Sequence, residues 1–161
     1  MNSYCYDTKI GRICITEDDI GISCVSMSCN DFSNMQETDL IRKTYIQISE
    51  FLNCKREIFD IPLSLKGTEF QKSVWTELLK IPYGKTCCYS DIAKKIKNPK
   101  ASRAVGGACN KNPIMIIVPC HRVICRNGSI NGYAQGVNIK SKLLNIEKTL
   151  IKTWIKFSLG I

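Results

Sequence analysis

The sequence predicts an α+β protein, on three observations. The N-terminal third alternates polar and apolar side chains with the period of two that a half-buried strand requires. From Thr68 onward the apolar residues recur at helical spacing between caps and breakers. The charge changes sign where the pattern does: residues 1–65 carry six Lys/Arg against ten Asp/Glu, and residues 66–161 carry seventeen against four. Two domains follow, an α/β unit over 1–65 and a mainly helical unit over 66–161, in a chain of 161 residues that can bury a real core.

In order, "SYCYDT", "GRICITE" and "GISCVSMS" read as three strands broken at Gly11, at "EDD" and at Gly21. After the polar "NDFSN", residues Leu40, Ile41, Tyr45, Ile48, Phe51 and Leu52 fall on one face of an amphipathic helix. "IPLSLKGTEF" joins the halves. Thr68 and Gln71 form a capping box ahead of a stripe of Phe70, Val74, Trp75, Leu78 and Leu79, and "IPYGK" ends that helix. Ser90 can cap the next helix, which buries Ile92, Ala93 and Ile96. Asn98-Pro99 stops it and starts another, because Asn caps well and Pro is tolerated in a first turn.

This helix pair is either a plain αα-hairpin or a helix-turn-helix. Its second member offers Ala101, Arg103, Ala104, Gly106 and Gly107 where a helix packed into a core would show larger apolar side chains. A glycine inside a helix costs about 1 kcal/mol relative to alanine, so two together call for a reason. A backbone pressed against a nucleic acid would supply one. Beyond Pro113, "IMIIV" reads as a buried strand ended by Pro119, with Cys120 at the strand end. "RNGS" is a turn and "NGYAQG" a loop. "NIKSKLLNIEKTL" is a helix with Ile139, Leu143 and Ile146 on one face and Glu147 turned inward with them.

Composition narrows the function. No apolar run approaches the roughly 20 residues of a membrane span, and the N-terminus lacks the order of a signal peptide, which points to an intracellular protein. The ten cysteines are scattered through apolar segments, so they are expected to be reduced and mostly small core residues. Their spacings do not make a tetrahedral zinc pattern, and no metal is expected. The basic half is a candidate polyanion binder.

The chain's single histidine, His121, directly follows Cys120. A free thiol has a pKa near ~8.5 and is mostly protonated at neutral pH. An imidazole that accepts its proton makes the sulfur a strong soft nucleophile, and a carboxylate on the other ring nitrogen would fix the tautomer. Glu147 is the nominated carboxylate. A Cys-His hydrolase or thiol transferase uses the same groups but has no evident use for a basic helix pair. A sulfur that attacks saturated carbon on a base oxygen does.

The stretch from Thr68 to Leu150, with "RAVGGA", "NP" and "PCHRV" in order and "GY" and the glutamate following, resembles the O6-alkylguanine-DNA alkyltransferases. The N-terminal half matches only in outline. The resemblance implies an RNase H-like N-terminal domain and a winged-helix-like C-terminal domain with a helix-turn-helix. It implies that Cys120 takes the alkyl group from O6-alkylguanine, and from O4-alkylthymine, in one irreversible suicide transfer without a cofactor. His121 is then the base through a water, Glu147 its orienting carboxylate, and Asn112 the brace of the active-site turn. Tyr89 donates to the leaving guanine and helps rotate the nucleotide outward, while Arg103 fills the gap left in the stack. Ala101, Ala104, Gly106 and Gly107 would face the minor groove of double-stranded DNA. Cys109, Met115, Val123, Asn131, Tyr133 and Ala134 would line the base pocket. Asn131 stands where a glycine is common, which bears on bulky adducts. A monomer is expected, cytoplasmic in a prokaryote or nuclear in a eukaryote. Relatives that recognise lesions without reacting replace the cysteine, which is present here.

Overall fold

The computed structural model describes residues 1–28 and 35–159, with side chains described as far as residue 149. The expected break at "NDFSN", Cys29 and the side chains of the basic apolar tail lie outside those residues. Three strands, β1 (Asn2–Thr8), β2 (Gly11–Glu17) and β3 (Ile22–Ser26), form an antiparallel sheet in sequential order. Gly11, at φ +122°, makes the tight return between the first two. Helix α1 (Asp39–Leu52) packs on this sheet, capped by Thr38, whose hydroxyl accepts from the amide of Ile41. Its buried face is Ile41, Ile48, Phe51 and Leu52, as the spacing predicts.

The expectation that all cysteines are reduced fails at one pair. Cys5 and Cys14 are direct cross-strand partners in β1 and β2, and a disulfide joins them. The pairing register holds the two side chains together, which spacing along the chain does not reveal.

The second half is built from α2 (Glu69–Leu79), α3 (Tyr89–Lys95), α4 (Ser102–Asn110) and α5 (Val137–Leu159). The capping box at Thr68 and Gln71 is present in both directions. Two cap expectations are corrected. Helix α3 starts one residue before Ser90, with Cys88 at its cap and the Asp91 carboxylate accepting from the Cys88 amide at 3.1 Å. Helix α4 starts at Ser102, because Asn98 and Pro99 are spent in the turn, where the Asn98 carbonyl accepts from Ala101. Two-residue strands β4 (Cys87–Cys88) and β5 (Val123–Ile124) pair in parallel.

"IMIIV" is not a strand. Residues 114–118 are all buried, which explains their composition, but they turn back on themselves. Val118 donates to Ile114 and Ile117 to Met115, and Ile116 sits at φ +71°. A β-branched residue rarely adopts that region, and holding it there costs on the order of 1–3 kcal/mol. Accordingly Cys120 begins a single 3₁₀ turn, Cys120–Arg122, rather than ending a strand.

A continuous core joins the halves. Val25 on β3 exchanges backbone hydrogen bonds with Pro113 and Met115, at 2.8 and 3.0 Å. Ile13, Ile15, Val25, Phe51, Trp75, Ile114 and Val118 belong to a common buried cluster. The turn that carries Cys120 therefore rests on the N-terminal sheet. No described helix is long and apolar enough to cross a membrane.

Candidate active site

The brace of the site is Asn112. Its side-chain amide donates to the Val118 carbonyl at 2.8 Å and to the Cys120 sulfur at 3.0 Å, and its oxygen accepts from the Ile114 amide at 3.0 Å. One side chain thus closes the loop 112–118 and holds the strained Ile116 in place. The same side chain fixes the direction of the thiol. Trp75 steadies the helix above, donating its indole N–H to the Ala108 carbonyl of α4 at 2.9 Å.

Next along the 3₁₀ turn, His121 has no exposed surface. Its Nε2 lies 2.8 Å from Oε1 of Glu147, which is 1% exposed on α5. The carboxylate also accepts from Arg122 Nε at 3.0 and 3.2 Å and from the Gly84 amide at 2.7 Å. Burial opposes its ionisation, but the bonds from His121, Arg122 and Gly84 outweigh it and hold the carboxyl below its ordinary range. An ionised acceptor on Nε2 puts the ring proton there. Nδ1 is then a bare lone pair, buried and without a hydrogen-bond partner among the described residues. Burial pushes the imidazole pKa down, so His121 is neutral and able to accept a proton.

Cys120 is 5% exposed. Burial pushes its thiol pKa up, while the amide of Asn112, the charge of Lys140 and the hydroxyl of Tyr133 pull it back. The resting sulfur is a thiol, and the next residue in the chain is that base, His121. Tyr133 has a buried hydroxyl without a hydrogen-bond partner among the described residues, yet it and the sulfur shift each other's ionisation. Tyr89, at the start of α3, donates to the Asn131 carbonyl over a long 3.4 Å, a bond easily exchanged for another acceptor.

The remaining sequence candidates divide between wall and surface. Cys109 on α4 and Val123 on β5 are buried, and burial, with a smaller contribution from the Cys120 sulfur, raises the pKa of Cys109. Met115 is buried in the turn that Asn112 closes. Asn131 and Ala134 are exposed on the 126–136 loop. Arg103, Ala104 and Gly107 are exposed on α4, with Ala101 and Gly106 partly so.

The two glycines have no structural explanation inside the fold. A Cβ on Gly107 would meet nothing within 4 Å, and one on Gly106 would make ordinary contact with the Tyr89 ring at 3.8 Å. Lys94, Lys95, Lys97, Lys100 and Lys111 are exposed around the same helix pair, and none is ion-paired among the described residues.

Sequence reasoning missed Arg122 and Lys140. The signal for Lys140 was present: Lys140, Leu143, Leu144 and Glu147 fall at i, i+3, i+4 and i+7 and are all buried. Arg122 carried no such signal, because its burial depends on the Glu147 carboxylate and the Ile81 carbonyl, which accepts from it at 2.6 Å.

Comparison with known proteins fits this arrangement. Residues 69–149 match the family model described as 6-O-methylguanine DNA methyltransferase, DNA binding domain. A methylated-DNA-protein-cysteine methyltransferase of Methanosarcina mazei is 51% identical over 118 residues, 73% of this chain and 75% of its own length. One from Methanosarcina acetivorans is 45% identical over 148 residues, 88% of this chain and 95% of that protein. Among solved structures, the Mycobacterium tuberculosis OGT in complex with DNA superposes with a TM-score of 0.87 at 36% identity, covering 93% of this chain and 94% of that one. The mixed α/β fold is common to both. A thiol braced beside a histidine and its carboxylate, in a chain this similar end to end, makes it a member of the methylated-DNA-protein-cysteine methyltransferase family.

Proposed function

We propose that Cys120 is the alkyl acceptor of a DNA repair methyltransferase and that O6-alkylguanine in double-stranded DNA is its substrate. The observation that carries this reading is the His121 ring, whose Nε2 is committed to Glu147 while Nδ1 has no partner among the described residues. Through a water, Nδ1 takes the proton of Cys120. The sulfur attacks the alkyl carbon, the S–C bond forms as the C–O6 bond breaks, and the electron pair leaves with the guanine. Tyr89 exchanges its long bond to Asn131 for the leaving base and donates to it. The product is a thioether, which no group here reverses, so each molecule acts once. No cofactor is needed for the step, because the alkyl group arrives on the lesion.

A thiol covered to this degree cannot meet a base that stays stacked. The nucleotide therefore rotates out of the helix, at a cost of a few kcal/mol. Arg103 offsets part of that cost by filling the vacated space. The docking face is α4, where Ala101, Ala104, Gly106 and Gly107 let the backbone approach the minor groove, with the exposed lysines of α3 and α4 around it. Cys109, Met115, Val123, Asn131, Tyr133 and Ala134 border the base pocket. O4-alkylthymine presents the same kind of carbon and belongs to the same substrate class. On this reading residues 1–65 are an RNase H-like domain. Residues 66–161 are a winged-helix-like domain whose α3 and α4 form the helix-turn-helix. The protein acts as an intracellular monomer.

The test is to incubate the protein with duplex DNA holding one O6-methylguanine and to weigh it intact. One methyl is expected, mapped to the Cys120 peptide and missing from a Cys120→Ser variant. An unchanged mass, or a methyl on another cysteine, rejects the assignment.

A further inference from the structure

Helix α1 belongs to the half of the chain that supplies none of the polar groups of the site, yet its C-terminal end reaches them. Phe51, with no exposed surface, sets its ring against the His121 imidazole, the centroids 6.3 Å apart and the planes at 65°. Two further rings adjoin it, Phe59 at 5.6 Å and Tyr83, edge-on, at 5.9 Å. Tyr83 in turn lies under the Arg122 guanidinium, 5.6 Å from the ring centre. Just past the helix, Cys54 donates its thiol to the carbonyl of Ile146, the neighbour of Glu147, at 3.7 Å. The other buried apolar side chains of α1, Ile41, Ile48 and Leu52, are aliphatic. The buried aromatic of this helix is thus placed where the helix meets the histidine.

We propose that Phe51 is a positioning residue for alkyl transfer: its ring walls the His121 imidazole against bulk water and holds its plane, so that Nδ1 stays bare for the proton of the thiol. The inference rests on the reading of His121 as the base for Cys120. Its steric half follows from the contacts. The bond from Nε2 to Glu147 ties one corner of the imidazole and leaves the plane free to rock about it. An edge-to-face aromatic contact removes that freedom, and Phe51 is itself held by Phe59 and Tyr83. The solvent half follows from Nδ1, a buried lone pair without a hydrogen-bond partner among the described residues. An apolar ring offers it no hydrogen bond. A hole in place of that ring, larger than the roughly 30 Å³ a water occupies, would admit one.

The charged and titratable groups around the imidazole are Glu147 and Lys140 on α5, and Cys120 and Arg122 on either side of it in its own turn. Tyr83 adjoins Phe51 with its hydroxyl neutral, because burial pushes that pKa up. Burial is the largest influence on His121 and draws its pKa down; Glu147 draws it up, and Arg122 and Lys140 draw it down. Phe51 carries no charge and acts through the burial alone. With the ring gone the charges remain while the burial lessens, so the imidazole pKa rises toward its ordinary 6.5. Below that pKa the ring is protonated and cannot accept from the thiol. The pH at which transfer fails on the acid side therefore rises with it.

His121 is the only histidine, so one imidazole signal in a proton-carbon NMR titration of the whole protein reads its midpoint without DNA. Wild type is compared with Phe51→Ala, Phe51→Leu and, as a control, Phe59→Leu, which removes a ring of the same cluster that adjoins Phe51. Each is checked for folding by circular dichroism, and single-turnover methyl transfer from DNA is followed against pH. The wild-type midpoint should lie below 6.5. It should rise by about half a unit or more in Phe51→Leu and further in Phe51→Ala, with the acid limb of transfer moving alongside. Phe59→Leu should leave both in place. Leucine keeps the position apolar and largely filled, so it carries the test if the alanine variant does not fold. An unmoved midpoint in a folded Phe51 variant overturns the proposal, as does an equal shift in Phe59→Leu or an acid limb that stays put while the midpoint moves. A wild type that takes no methyl from DNA, with the midpoints shifting as expected, would instead reject Cys120 as acceptor and leave the hold of Phe51 on the imidazole standing.

Discussion

Replacing Glu147 by glutamine should abolish transfer far more than it disturbs the fold, and the geometry says why. The carboxylate accepts from His121 and Arg122 on Oε1, and from Gly84 and Arg122 on Oε2. A glutamine has one oxygen and one NH₂. With its NH₂ toward Gly84 it would set donor against donor, so the oxygen keeps that side and the NH₂ faces Nε2 of His121. Nε2 must then accept, the ring proton moves to Nδ1, and the lone pair that would receive the thiol proton is gone. The lost general base accounts for a rate reduction on the order of 10²–10⁴-fold. Leaving Arg122 buried without its anion costs at most about 3–5 kcal/mol, lessened by its bond to the Ile81 carbonyl. Single-turnover methyl transfer at pH 7 and urea unfolding measure the two effects separately. A Glu147→Gln protein that transfers within tenfold of the wild-type rate would refute the tautomer argument. Glu147→Asp, which keeps the charge but shortens the reach, should fall between the two.

Three other outcomes are expected. Stability should fall below pH 6.5, because the unfolded chain protonates His121 at its ordinary 6.5 while burial holds the folded pKa lower. As His121 is the only histidine, a His121→Gln variant should lose that slope between pH 7 and 5. A second loss begins below Glu147's ordinary 4.5, since its folded pKa is lowered and the stabilisation vanishes as pH drops toward it. Gly107→Ala should raise stability by roughly 0.5–1 kcal/mol in a thermal melt, because its Cβ meets nothing, yet slow transfer from duplex DNA; normal transfer would exclude this face as the docking surface. Asn112→Ala removes three hydrogen bonds that hold Ile116 at positive φ. It should destabilise by about 1.5–4 kcal/mol in urea and slow labelling of Cys120 by iodoacetamide, and a neutral effect on both would show that the turn does not depend on it.

Much of this protein was legible before any coordinates. Strand alternation placed β1 to β3, and helical spacing placed α1, α2 and α5, because both periods are imposed by burying one face of a local element. The pair Cys120–His121 and the inward Glu147 stood out because a lone histidine beside a thiol, and an acid on an apolar face, are unusual locally. Tertiary structure decided the rest. "IMIIV" is apolar because it is buried on every side, and composition cannot distinguish that from a strand when a side chain, Asn112, takes over the backbone hydrogen bonds. Cys5 and Cys14 are joined because a register opposes them. Arg122 and Lys140 are buried cations whose partners are a carboxylate 25 positions away and main-chain oxygens, which carry no residue identity to be read. A chain's periodicity records which face meets the core; which polar group meets which is settled only when the elements pack.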